Sequence, residues 1–176
     1  MVPEAPLEKT EAGLVPKEEG WFVVNAKESR WFEHETFGSG TVFEGEPEFA
    51  QLGINIGVLE PGQPACMYHR ENQQEDFLVL FGECLLLVEG EERPLKAWDF
   101  VHCPPGTDHV FVGAGDGPSA VLAVGRRLGN EELVYPVEPV ALKHRAGVEK
   151  ETPNPKEAYA PFPRPAEAPY RGQLDR

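Results

Sequence analysis

Two short stretches decide the fold: residues 69–82, which read HRENQQEDFLVLFG, and residues 104–109, which read PPGTDH. Each contains a histidine, and the whole chain has only five. Both stretches lie among short apolar runs separated by glycine and proline, a pattern typical of β-strands joined by tight turns rather than of helices. His69 and His109 are therefore predicted to lie on or beside strands of a sheet.

The same rhythm extends from residue 21 to about residue 126. Apolar runs such as INIGVL, DFLVLF, CLLLVEG and HVFVG recur with turn residues between them, at the spacing of roughly ten residues that antiparallel sandwiches and barrels show. Gly90, between two such runs, and the glycines at 38 and 40 predict hairpins. The chain is thus expected to be an all-β protein.

Composition divides the chain into three parts. Residues 1–20 hold several prolines and glutamates and few large apolar side chains, so we expect an N-terminal arm that is mobile or lies on a partner subunit. Residues 21–130 form the predicted barrel, and residues 131–176 a proline-rich extension with one or two short helices. The residues that predict the ends of these helices are Pro139, Gly147, Asn154, Pro155 and Glu157.

Charge and cysteine content exclude several classes of function. The chain has 30 acidic and 16 basic residues and a net charge of −14, which repels nucleic acid and anionic membranes. It has no apolar run long enough for a membrane span and no secretion signal, so a cytoplasmic location is expected. Three cysteines without CxxC spacing indicate reduced thiols rather than disulfides or a zinc knuckle.

The alternation of side chains along strands brings polar groups together. Residues two apart on a strand point to the same side, so Glu71 follows the direction of His69. On the next strand, Glu75 shares a face with Phe77, Val79 and Phe81. His109, which opens a third strand, shares its face with Phe111. These three segments can thus bring two imidazoles and two carboxylates close together.

These residues resemble the two motifs of the cupin family. The first motif is a glycine, then His-x-His, three or four residues, Glu, six residues and Gly, and the second is Pro-x-Gly-x-x-His. The residues that match the first are Gly57 (farther away than usual), His69, Glu71, Glu75 and Gly82. The residues that match the second are Pro104, Gly106 and His109. The resemblance implies a cupin-type double-stranded β-helix, a jelly-roll barrel.

The resemblance also implies a metal site. Its ligands would be His69, Glu71, Glu75 and His109, with Glu71 standing where the family has a second histidine. Such ligands suit Fe, Mn, Ni or Zn, and the extra carboxylate favours Mn or Fe over Cu. Two crowded carboxylates would repel each other unless a cation lay between them. The alternative is that Glu71 ends its strand in solvent and that His69 is hydrogen-bonded without a metal.

Two functions follow from such a site. One is a metal-dependent enzyme acting on a small organic acid, enol or sugar-like molecule, with Glu75 or Glu71 moving the proton. The other is a small-molecule or metal-binding module without turnover. The residues expected to line the pocket are Met67, Phe77, Val79, Phe81 and Phe111. Apolar residues on both faces of the strands FLVLF and CLLLVEG predict a homodimer.

Overall fold

Fourteen strands and two short helices occur in the residues that the computed structural model describes, 1–127, 129–130 and 132–175. The strands are β1 Leu7–Thr10, β2 Gly13–Pro16, β3 Trp31–His34, β4 Gly38–Val42, β5 Leu52–Leu59, β6 Arg70–Glu71, β7 Glu75–Phe81, β8 Glu83–Val88, β9 Glu91–Lys96, β10 Phe100–Cys103, β11 His109–Ala114, β12 Ser119–Arg126, β13 Leu133–Val134 and β14 Ala166–Ala168. The helices are α1 Pro139–Lys143 and α2 Pro155–Ala158. The predicted all-β class and the two short helices of the extension are confirmed, but α1 ends at Lys143 and not at the predicted Gly147.

Two antiparallel sheets form the body of the molecule. The larger has the strand order β10-β7-β12-β5-β4-β3-β14, and the smaller has the order β11-β8-β9. The consecutive strands β7 and β8 lie in different sheets, so the chain crosses from one sheet to the other between them. Such crossings are typical of a jelly roll, in which two sheets enclose one core.

The core between the sheets consists of alternate residues from several strands. Phe77 and Val79 of β7 pack with Leu86 of β8, Phe111 of β11 and Val121 of β12. These side chains are buried because each strand presents every second residue to the opposite sheet. The same alternation places Glu75, two residues before Phe77, at the end of this core.

Tight turns join neighbouring strands where the sequence predicts hairpins. Glu89 and Gly90, between β8 and β9, both have positive φ, 50° and 77°. That pair of angles is the type I′ turn whose twist matches the strands on either side. Gly38, with φ of 73°, begins β4 directly after the turn from β3. Both predicted hairpins are confirmed.

The N-terminal arm is a hairpin of β1 and β2 packed on its own chain, so it is not a mobile segment; its contact with a partner subunit stays a prediction. Ala12 and Val15 are buried, and the Leu14 amide donates to the Glu28 carbonyl at 2.7 Å. The arm folds because backbone pairing and contacts with the body replace the core that it cannot form alone.

The C-terminal extension covers outward faces of the sheets. Its α1 contributes Ala141 to a buried cluster with Leu87 of β8 and Val110 of β11, and β14 pairs with β3 at the edge of the large sheet. Part of the apolar surface from which a homodimer is predicted is thus covered by the same chain; the homodimer stays a prediction. Neither α1 nor α2, the helices of the described residues, has the length and apolar character needed to cross a membrane.

Candidate metal centre

Two backbone segments that are far apart in sequence place His69 and His109 side by side. The His109 amide donates to the His69 carbonyl at 2.8 Å, and the His69 amide donates to the His109 carbonyl at 3.2 Å. This isolated antiparallel bridge joins the segment before β6 to the start of β11. The two imidazole rings consequently have centroids 5.1 Å apart.

Glu75, the first residue of β7, completes a compact group with the two histidines. Its Oε2 lies 3.4 Å from Nε2 of His109 and 3.9 Å from Nε2 of His69. One ligand atom from each of the three residues lies within 4.8 Å of the others. A single ion between these atoms would contact all three side chains.

The other ring nitrogen of each histidine is occupied by the backbone. Nδ1 of His69 lies 2.8 Å from the Met67 carbonyl, and Nδ1 of His109 lies 3.0 Å from the Thr107 carbonyl. A carbonyl oxygen only accepts, so each Nδ1 must carry the proton and donate it. Each Nε2 therefore directs a lone pair toward Glu75, which is the tautomer that metal-binding histidines adopt.

Burial disfavours charge on all three groups. It lowers the pKa of His69 to about 4, with the proximity of His109 adding to the shift. It likewise lowers the pKa of His109, and burial together with Glu71 raises the pKa of Glu75 to about 8. Near neutral pH the site thus offers two neutral imidazoles and a carboxyl that keeps its proton until a cation replaces it. Two imidazoles and one carboxylate fit Fe, Mn, Ni or Zn.

Glu71 lies beside this group but at its edge. Its Oε1 is 3.9 Å from Nε2 of His69, whereas the three-residue group comprises only His69, Glu75 and His109. The Glu71 side chain is 26% exposed, against 16% for Glu75 and 2% for His109. Both glutamates line a cleft of about 590 Å³. A fourth-ligand role for Glu71 stays a prediction, and its place on the cleft also suits proton transfer.

The five residues predicted to line the pocket separate into three groups. Phe77 lies 5.3 Å from the His109 ring and 4.7 Å from Phe111, and both belong with Val79 to the core between the sheets. Met67 instead packs beneath the C-terminal extension. Phe81 packs on the opposite face of the large sheet, because the pairing of β7 with β12 shifts register between Ala120 and Val121. Met67 and Phe81 thus lie in other clusters.

The extension holds the segment that carries His69, a feature that the sequence did not reveal. The Met67 amide donates to the Tyr159 hydroxyl at 3.0 Å, and the Met67 carbonyl accepts from His69. The Tyr68 amide donates to the Ala146 carbonyl at 2.7 Å, and β6 pairs with β13. The position of His69 therefore depends on residues well outside the two motifs.

Removing the Tyr159 hydroxyl should weaken metal binding without unfolding the protein. In Tyr159→Phe the Met67 amide loses its partner, so the carbonyl that orients His69 is less well held. We expect a loss of about 3- to 10-fold in Mn²⁺ affinity, which is less than the roughly 10- to 100-fold effect of groups bonded directly to a ligand, because Tyr159 acts on His69 through Met67. Calorimetric titration with Mn²⁺ measures the affinity, and thermal unfolding of the metal-free protein measures stability.

Tyr170→Phe is the matched control, because the Tyr170 hydroxyl bonds to Asp175 and Leu174 in the same extension. It should leave Mn²⁺ affinity unchanged. Equal affinities in Tyr159→Phe and wild type would show that the hydroxyl does not position His69.

Comparison with known proteins supports the resemblance to cupins. Residues 55–125 match the family model described as a cupin domain. A sugar phosphate isomerase of the cupin superfamily from Silicibacter pomeroyi is 25% identical over 66% of this chain and 75% of that chain, with a TM-score of 0.52. The polyketide cyclase RemF from Streptomyces resistomycificus is 15% identical over 60% of this chain and 79% of that chain, with a TM-score of 0.53, and shows the fold alone.

The extent of the matches is limited. A structure from Acidithiobacillus ferrooxidans is 28% identical, but the match spans 47% of this chain and 55% of that chain with a TM-score of 0.45. None of the curated protein sequences compared with this chain matches it. Ala146 and Tyr159, which support the His69 segment, both lie beyond the residues matched by the family model.

Proposed function

Because this chain belongs to the cupin superfamily, we propose that it holds a divalent ion at His69, Glu75 and His109 and moves a proton on a small carbonyl compound. The observation that carries the proposal is the inward direction of both Nε2 atoms toward a buried carboxyl. Burial disfavours an ionised carboxylate at Glu75, and a cation between the three side chains would compensate that charge.

A proton-transfer role falls to Glu71. When bound, a divalent ion would polarise the carbonyl of the substrate and acidify the neighbouring carbon. The Glu71 carboxylate takes the proton from that carbon as the C–H bond breaks, and the electron pair moves into the enolate. In a 2-hydroxy carbonyl compound, Glu71 then returns the proton to the former carbonyl carbon while the hydroxyl proton moves from one oxygen of the enediolate to the other. The carbonyl thereby shifts by one carbon, and atoms and charge balance over the cycle. Its position on the open cleft leaves it accessible to a substrate.

The substrate class is a small organic acid, enol or sugar-like molecule. The Silicibacter pomeroyi relative, described as a sugar phosphate isomerase, supports an isomerisation, since moving a carbonyl along a carbon chain requires this kind of proton transfer. The metal would be Mn or Fe in preference to Cu, because a carboxylate donor is harder than imidazole.

Glu71→Gln should separate proton transfer from metal binding. We expect Mn²⁺ affinity within about 10-fold of wild type, whereas the rate of exchange of carbon-bound hydrogen falls at least about 100-fold, the scale of a lost general base. Nuclear magnetic resonance of a panel of 2-keto acids and ketoses in D₂O, with Mn²⁺-loaded or Zn²⁺-loaded protein, detects the exchange. Glu35→Gln, an exposed glutamate away from the cleft, is the control.

Two outcomes would contradict the assignment. If Glu71→Gln and Glu71→Ala both lose the metal, Glu71 is a fourth ligand, as the motif comparison predicts. If wild type binds the metal but exchanges no compound of the panel, the chain is a binding module without turnover.

A further inference from the structure

The inner face of the large sheet has a strip without large side chains beside Glu75. Strands β5 and β12 pair in register, and Leu59 and Val121 mark the face that looks into the core. Counting by twos from these residues gives the rest of the inner face. It consists of Gly53, Asn55 and Gly57 on β5 and of Ala123 and Gly125 on β12.

Gly57 is a glycine that neither conformation nor packing demands. A Cβ added there would meet nothing within 4 Å, and its φ lies outside the left-handed region. A Cβ at Gly125 would come only within 3.8 Å of Glu75. Glycine weakens the interior of a strand unless something must approach the backbone closely. The strip therefore leaves room for another molecule next to Glu75.

An open groove of about 510 Å³ lies over the Asn55 and Gly57 end of this strip, within the range of small-molecule sites. The remaining strip residues line the cleft that contains Glu75. Phe37, Val42 and Leu59 contribute apolar walls. Asn55 lines both this groove and the cleft that contains Glu71 and Glu75. From the row of Gly53 to the row of Gly57 the strip is about 13 Å long, four residues at about 3.3 Å each. That length suits a flat body of two fused rings.

One arginine of the C-terminal extension, Arg164, lies at the groove. Arg164 is exposed and lines the groove, and no ion pair engages it among the residues that the structure describes. Glu33, the acidic residue of the same groove, lies 3.6 Å from Arg171. In a chain of net charge −14, this guanidinium favours an anionic group, which it can bind through two parallel hydrogen bonds.

We propose that the groove binds a flat, apolar carboxylic acid, with its rings on the Gly57 strip, its carboxylate at Arg164 and a carbonyl reaching the three-residue site. The inference rests on the proposed function for the role of the carbonyl end, but the groove itself is tested without turnover. A sugar phosphate fits this groove poorly, because the apolar walls would leave its hydroxyl groups without partners.

The test is the binding of 2-naphthoate, followed by its fluorescence, to wild type, Gly57→Val and Gly117→Val loaded with Mn²⁺. Valine at 57 should fill the groove and weaken binding at least about 10-fold, as added methyl groups in a filled pocket do. Gly117→Val is the matched control, since a Cβ at Gly117 also meets nothing within 4 Å and Gly117 lies outside the groove. It should bind as wild type does.

The charge is tested with Arg164→Gln. It should weaken 2-naphthoate about threefold, the scale of an exposed ion pair, and leave the uncharged 2-naphthamide unaffected. Equal 2-naphthoate binding by wild type and Gly57→Val would overturn the inference, as would tighter binding of ribose 5-phosphate than of 2-naphthoate. Mn²⁺ titration of the same proteins separates the two proposals. If wild type binds no Mn²⁺ but still binds 2-naphthoate more tightly than Gly57→Val and Arg164→Gln do, the proposed function is refuted and the groove inference stands.

Discussion

Glu75→Gln should abolish metal binding and at the same time stabilise the metal-free protein above neutral pH. Burial and Glu71 raise the pKa of Glu75 to about 8 from an ordinary 4.5. Between these values the unfolded chain has released the proton while the folded chain still holds it, so the free energy of unfolding falls as pH rises. The glutamine side chain does not titrate in this range, so Glu75→Gln removes this pH dependence of stability. It also removes the charged oxygen that a cation requires.

The effect of Glu75 on the free energy of unfolding is best measured between pH 6.5 and pH 8. Between pH 6.5 and pH 8 wild type should lose about 1.5 kcal/mol of stability relative to Glu75→Gln, at about 1.4 kcal/mol for each pH unit and levelling near the folded pKa. The shift of His69, whose pKa falls to about 4, acts mainly below this window. Urea unfolding of both metal-free proteins at the two pH values measures the difference.

Glu35→Gln controls for the loss of a negative charge, because Glu35 is exposed. It should follow the pH dependence of wild type. Parallel stability curves for wild type and Glu75→Gln would mean that Glu75 is already ionised in the folded metal-free protein, and unchanged Mn²⁺ affinity in Glu75→Gln would remove it from the site.

His109→Ala should lower Mn²⁺ affinity by at least about 100-fold, since changes in the groups that merely orient ligands already reach that size. His109 is the most buried of the three groups, and its Nε2 is the ring nitrogen nearest to Glu75. His69→Ala should act similarly. Both proteins should stay folded, because the core between the sheets is formed by apolar side chains.

Calorimetric titration with Mn²⁺ and Zn²⁺ measures the loss, and His144→Ala is the control. His144 bonds to Glu92 at 2.8 Å and follows helix α1, so it takes no part in the site. Full metal content in either His69→Ala or His109→Ala would place the ion elsewhere in the molecule.

The parts of the site that the sequence predicts are those set by local geometry. Alternation along a strand relates Glu75 to Phe77 over two residues, and the motif turn leads directly into His109. Phe81 fails this rule because the register of β7 against β12 shifts, and a shift of this kind depends on the partner strand. The Tyr159 hydroxyl reaches the Met67 amide across 92 positions of the chain. No periodicity or spacing records such a contact.

The hydrogen bonds between the C-terminal extension and the His69 segment suggest a way in which related chains can diverge. The ligands of the site lie within residues 55–125, whereas the hydroxyl and carbonyl that support Met67 and Tyr68 come from Tyr159 and Ala146. Substitutions in the tail can therefore retune the affinity for an ion while every ligand stays the same. Relatives with identical ligands but different tails would then retain the chemistry and differ in the metal concentration at which it begins.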